Sequence, residues 1–179
     1  MPSHRTALVW INVLGGIAVL GSYAYGFVAH PDEVGLAWGG IPVEWRGLYS
    51  AAMFPAALGY FPMTFFLLFR SNLEQSLRGS VRLRPALILL YCAILIASAL
   101  WMPLTFAYLA APSAALWAGI WFVLGVVALA SLGLTAVLLQ LRPAPPTTSW
   151  RLALLGSLFF AFQTVILDAG VWPSLFVIA

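Results

Sequence analysis

Ala114-Ala-Leu-Trp-Ala-Gly-Ile-Trp-Phe-Val-Leu-Gly-Val-Val-Ala-Leu-Ala-Ser-Leu-Gly-Leu-Thr-Ala-Val-Leu-Leu-Gln140 runs its whole length without a charged residue. A helix needs roughly 20 such residues to cross about 30 Å of hydrocarbon, and a helix is required because lipid cannot satisfy free backbone polar groups. Four more stretches read the same way: Ala7–Val28, Leu48–Phe69, Ala86–Ala110 and Arg151–Phe176. The chain is 63% hydrophobic and only 7% charged, with mean hydropathy +1.01, which excludes an ordinary soluble domain. The expectation is an all-α integral membrane protein: one domain over residues 1–179, a five-transmembrane-helix bundle, with a first loop over 30–47.

Orientation rests on arginine alone, since the eight basic residues include no lysine. With five spans, Arg5, Arg70, Arg78, Arg82, Arg84, Arg142 and Arg151 share one side, and Arg46 stands alone on the other. The excess of basic residues in short cytoplasmic loops then places the N-terminus in the cytoplasm and the C-terminus outside it. These charges are the orientation signal, so a net charge of +3 is not read as nucleic-acid binding. Cys92 lies in an apolar span and offers neither a disulfide nor a zinc pattern. The first stretch is long for the apolar core of a signal peptide, and Tyr23-Ala-Tyr-Gly-Phe is a poor cleavage site, so it is read as a retained helix.

The loops carry their own signals. Residues 30–47 hold Trp38, Trp45, Pro31 and Pro42, and a loop of that length in a compact protein is either functional or ordered onto the bundle. Arg84-Pro85 opens the third helix, where a missing N–H costs least. Ala111-Pro-Ser-Ala makes a tight turn that sets helices three and four antiparallel. Thr148 or Ser149 is available to cap helix five. Gly15-Gly16, Gly119, Gly125, Ser131 and Gly133 allow close helix approach, for packing within the chain, for homodimerisation or for docking to another membrane protein.

Counting about 1.5 Å of rise per residue puts Trp101, Asp168, Tyr49, Trp117, Trp121, Tyr23 and Tyr25 in the outer half. Of the eight tryptophans only Trp10 and Trp150 remain near the cytoplasmic face. An interfacial belt explains some of them, but a belt is two-sided and Trp101 lies deep, so an aromatic-lined pocket opening toward the first loop stands beside it. Asp168 is the only acidic residue well inside a span. Such a group faces the bundle interior and finds a partner. Gly156, Phe160, Thr164, Asp168 and Trp172 fall on one α-helical stripe, with Gln163 off it. Asp168 is expected to be protonated and to donate a hydrogen bond, as a packing contact between helices or to a bound ligand; proton chemistry is the third reading.

Leu100-Trp101-Met102-Pro103-Leu104-Thr105-Phe106, with Tyr91 before it, resembles the third helix of the tryptophan-rich sensory protein (TspO) family, bacterial relatives of the mitochondrial translocator protein or peripheral benzodiazepine receptor. Trp45-Arg-Gly-Leu48-Tyr49 followed by Met53 is similar to that family's entry into helix two, and Gly156, Phe160, Asp168 and Trp172 keep the spacing of its helix-five positions. The chain departs from the pattern where Ile94 and Ser98 replace polar residues of helix three, where Asp168 replaces an asparagine, and where the first-loop signature is reduced to Gly39-Gly40-Ile-Pro42, which marks a divergent member. The resemblance implies a five-helix fold in a bacterial inner (cytoplasmic) membrane and a ligand of tetrapyrrole or lipid type.

Three functions compete on these residues. The first is a ligand-binding sensor or carrier for a hydrophobic or planar small molecule of tetrapyrrole, sterol or carotenoid type, bound under the first loop by Trp38, Trp45, Tyr49, Trp101, Phe106, Trp121, Thr164, Asp168 and Trp172. The second is an accessory subunit of another membrane protein, and the third a membrane enzyme such as an isomerase using Asp168 with Glu44 or His30. The non-enzymatic readings are preferred, with the hydrophobic molecule, membrane lipid and a second copy as partners. His30-Pro-Asp32-Glu33 is read as a solvated helix end and not as a metal site, because ligands so close in sequence do not converge easily.

Overall fold

In a computed structural model, which describes residues 4–71 and 83–176, the chain is all-helical and has five helices long and apolar enough to cross a membrane. Helix α1 is His4–Ala29, followed by a 3-10 turn at Leu36–Trp38. Helix α2, Val43–Phe65, continues as a wider π turn through Phe66–Arg70. Helices α3 and α4 are Leu83–Ala110 and Ala114–Gln140. Helix α5 runs as one span over Thr148–Leu175: an α-helix Thr148–Ala161, a π-helical stretch Phe162–Val171 and a last α turn Trp172–Leu175. Arg78, Arg82 and Ala179 lie outside the described residues.

Four helix starts lie earlier than the sequence reading, α1 at His4 and not Ala7 and α3 at Leu83 and not Ala86 among them. Helix α2 begins at Val43 and not Leu48, which shortens the first loop to residues 30–42. Pro42, held at φ −54° and ψ 141°, ends the loop in extended form, and Glu44 in the first turn suits the positive end of the helix dipole. Helix α5 begins at Thr148 and not Arg151, and its cap is Thr147, not Thr148 or Ser149: Thr147 Oγ1 accepts the Trp150 N–H at 3.3 Å. At the opposite end Ser113 caps α4 by accepting from Leu116 N at 3.2 Å.

Side by side the helices run α1, α3, α4, α5, α2. Sequence neighbours α1 and α2 therefore sit at the two ends of that row; they meet through the π turn of α2 and through Tyr60, whose hydroxyl donates to Asn12 Oδ1 at 2.6 Å. Small residues set the closest approaches. A β-carbon on Gly59 of α2 would lie 2.6 Å from the Gly156 α-carbon of α5, so the two backbones touch. Small residues let helix backbones come this close, so that van der Waals packing holds them together. Gly15 and Gly133 seat Leu95 and Leu90 of α3 in the same way, so these glycines serve packing within the chain, while Gly16 and Gly125 face open space.

The core divides along the bundle axis. One cluster, containing Met63, Leu67, Leu87, Tyr91, Leu134, Leu138 and Trp150, fills the half toward the N-terminus. A smaller one at the loop end gathers Ile41, Tyr49, Tyr108, Ile120, Leu124, Trp172 and Phe176.

Candidate functional site

The loop-end cluster is built mostly of rings. Trp172 is packed by Phe176 at 4.8 Å between centroids, by Trp101 at 5.7 Å and by Trp117 at 6.2 Å. Tyr108 joins Trp117 at 5.3 Å, and Tyr23 of α1 reaches Trp101 at 5.7 Å. Trp38 meets Tyr49 edge-on at 5.9 Å. Every helix contributes a ring, as does the first loop.

That loop is fastened over the cluster. The Trp172 indole N–H donates to the Ala37 carbonyl at 2.9 Å, and Arg46 Nε donates to the Ile41 carbonyl at 3.1 Å while its guanidinium lies over the Trp38 ring. Ile41 is 2% exposed. Gly39, at φ +56°, takes a left-handed conformation in which a β-carbon would strike the Phe176 ring. Only glycine meets both demands at that turn.

Beneath the loop sits Asp168, half-buried. Its Oδ1 accepts two hydrogen bonds, from the Tyr49 hydroxyl at 3.0 Å and from Gln163 Nε2 at 2.8 Å. Toward these two neighbours Asp168 is an acceptor through Oδ1, and no described residue receives a hydrogen bond from it. The phenol of Tyr23 lies within electrostatic range of the same carboxylate. Three buried polar atoms of the loop-end residues have no hydrogen-bond partner among the described residues: Gln163 Oε1, on the side chain that bonds Asp168, and Trp101 Nε1 and Tyr108 Oη in the ring cluster. Leaving each unmet costs on the order of 1–3 kcal/mol, so they mark places where a further polar molecule would gain.

The structure gathers Trp38, Tyr49, Trp101, Asp168 and Trp172 as the sequence led one to expect, and sends four others elsewhere. Trp45, in the first turn of α2, is 59% exposed, whereas Tyr49 one turn on is buried. Trp121 is 44% exposed; the inward line of α4 runs through Ile120 and Leu124, and Trp117 takes the place in the cluster. Phe106 is buried on the α1 side, stacked on His30 at 4.6 Å and abutting Gly26, where it seats the end of α1. Thr164 donates to Ser131 Oγ at 2.8 Å, tying α5 to α4, and does not touch Asp168.

Gln163, off the α-helical stripe and readable only as a packing hydrogen bond, was not paired with Asp168 because that stripe separates them. The π-helical stretch brings residues five apart onto one face, and that is the spacing from Gln163 to Asp168. The signal that could have found it is their standing as the two most polar side chains of an otherwise apolar span. The partners proposed for an enzyme are not assembled: Glu44 lies exposed in the first turn of α2, and His30 packs on Phe106 with Nδ1 3.5 Å from Glu33 Oε2, with no hydrogen bond from either to Asp168. A shallow crevice of Leu155, Leu158, Phe159 and Phe162 lies on the outward face of α5, away from this site.

In comparisons with known proteins, no family model, no curated protein and no solved structure matches this chain.

Proposed function

We propose that this chain is an integral membrane protein that binds a hydrophobic or planar small molecule at the loop end of its bundle, as a sensor or carrier similar to the TspO family. Its N-terminus lies in the cytoplasm and its C-terminus outside, in a bacterial inner membrane, on the arginine distribution. The observation that carries the reading is that three buried polar atoms are partnerless at the loop end, among packed rings and a half-buried acidic side chain. A bundle built only to pack would have no reason to keep them unmet. The accessory-subunit reading keeps Gly16 and Gly125, which face open space, but not Gly15 and Gly133, which are occupied within the chain. The enzyme reading loses its proposed partners for Asp168.

The test is tryptophan-fluorescence quenching of the purified protein by porphyrins, sterols and carotenoids. Saturable micromolar quenching by one class, lost on Trp101→Leu with the melting temperature little changed, supports the reading. Non-saturable quenching by all of them, equal to that of the variant, would overturn it.

A further inference from the structure

The carboxylate of Asp168 has one oxygen occupied and one open. Tyr49 and Gln163 both donate to Oδ1, and no hydrogen bond from a described residue reaches Oδ2. Two donors on one oxygen leave Oδ2 as the free position, and a cation placed there would meet the charged form of the group through a strong, charge-assisted contact. The charge has no cationic partner among the described residues: the single ion pair there is His30 with Glu33. Arg46, the one arginine at this end, is engaged with the Ile41 carbonyl and the Trp38 ring.

The neighbouring amide adds to the imbalance. Its Nε2 is committed to Asp168, which turns Oε1 away as a second acceptor, and this oxygen is buried and unpartnered in a side chain only 5% exposed. Rings lie on the same side: Tyr23 is within electrostatic range of Asp168, and Tyr23 and Trp172 both pack on Trp101 at 5.7 Å. Open acceptors on an amide and an acidic group with no cationic partner, beside electron-rich rings, are together the chemistry that holds an ammonium group.

Resting on the ligand-binding reading above, we propose that the site takes a hydrophobic molecule bearing a protonated or quaternary amine, its cation placed against the open Oδ2 of Asp168 beside the Tyr23 ring. Trp101 Nε1, the one open N–H donor there, meets an acceptor elsewhere on the same molecule. An anionic ligand is disfavoured at this position, because its charge would face Asp168 with nothing to compensate it.

The test compares benzyltrimethylammonium with neopentylbenzene, in which carbon replaces the charged nitrogen at equal shape, by titration of the full chain in nanodiscs with empty nanodiscs subtracted. The ammonium probe should bind about tenfold tighter than its neutral isostere, and Asp168→Asn should bring that ratio near one, with the melting curve checked for folding. Equal or tighter binding of the isostere by the wild type overturns the proposal, and that comparison stands even where the variant does not fold. Saturable quenching by neutral sterols or carotenoids alongside no preference for the ammonium sinks this inference alone. No saturable binding by any probe sinks the ligand-binding reading with it.

Discussion

Gln163 Nε2 donates to Asp168 Oδ1 at 2.8 Å across five residues of one helix. In an α-helix residues five apart point about 140° away from each other, so this bond exists only because Phe162–Val171 is wound in π form. Such segments are rare and recur at functional sites. Here the widened turns aim an amide and a carboxylate at the same space, and the Tyr49 hydroxyl of α2 closes on the same oxygen from across the bundle.

Gln163→Leu keeps most of the side-chain volume and removes the donor. It should destabilise the protein by about 1–3 kcal/mol, the cost of a lost hydrogen bond to a charged group. Gln163→Glu should cost more, because it sets a second carboxylate against Asp168. Denaturation in detergent, followed by helical circular dichroism, measures both. Equal stability of the glutamate variant and the wild type would show that the pair does not form.

Gly59 and Gly156 give a second prediction. A side chain on Gly59 meets backbone and not a flexible group, so Gly59→Val should cost at least about 1–3 kcal/mol by overpacking and separate α2 from α5. Gly16→Ala, with nothing within 4 Å of the new carbon, should be neutral or stabilising by roughly 0.5–1 kcal/mol. The difference between the two melting temperatures checks the claim; similar shifts would mean that the helices do not touch there.

The five helices were legible because unbroken apolar length is a property of each segment alone. Pro85 and the cap position before helix five were nearly so, the latter displaced by one residue to Thr147. The site was only half legible. Trp101, Tyr49 and Asp168 could be placed by depth, since rise per residue is fixed. Trp45, Trp121 and Phe106 could not, because depth says nothing of rotation about the helix axis, and rotation is decided by partners such as Ile120, Leu124 and His30. Gln163 depended on a change of helical winding that leaves no local mark in the sequence. Asn12, deep in the first span, carried a readable signal: an amide there is expected to hydrogen-bond across helices, as it does with Tyr60.

Topology is checked by reporter fusions. Seven arginines against one predict that a fusion after Ala179 reports the outer compartment and one before Met1 the cytoplasm. Both ends reporting the same side would require an even number of spans and would break the assignment of Asp168 to the outer half.

Trp101 and Trp172 are neighbours with opposite hydrogen-bond states, which makes them a matched pair. The Trp172 N–H is met by Ala37, and that bond fastens the first loop. The Trp101 N–H is buried and unmet. Replacing either with phenylalanine removes comparable ring area, so the difference between the variants isolates the N–H. Trp172→Phe should lose about 0.5–1.5 kcal/mol more stability than Trp101→Phe, and should speed hydrogen exchange at residues 36–41 as the loop comes free. Trp101→Phe should leave exchange in the loop unchanged and weaken ligand binding instead. If Trp101→Phe loosened the loop and left binding intact, its N–H would have a structural partner, and the argument from unmet polar atoms would fail at its most exposed point.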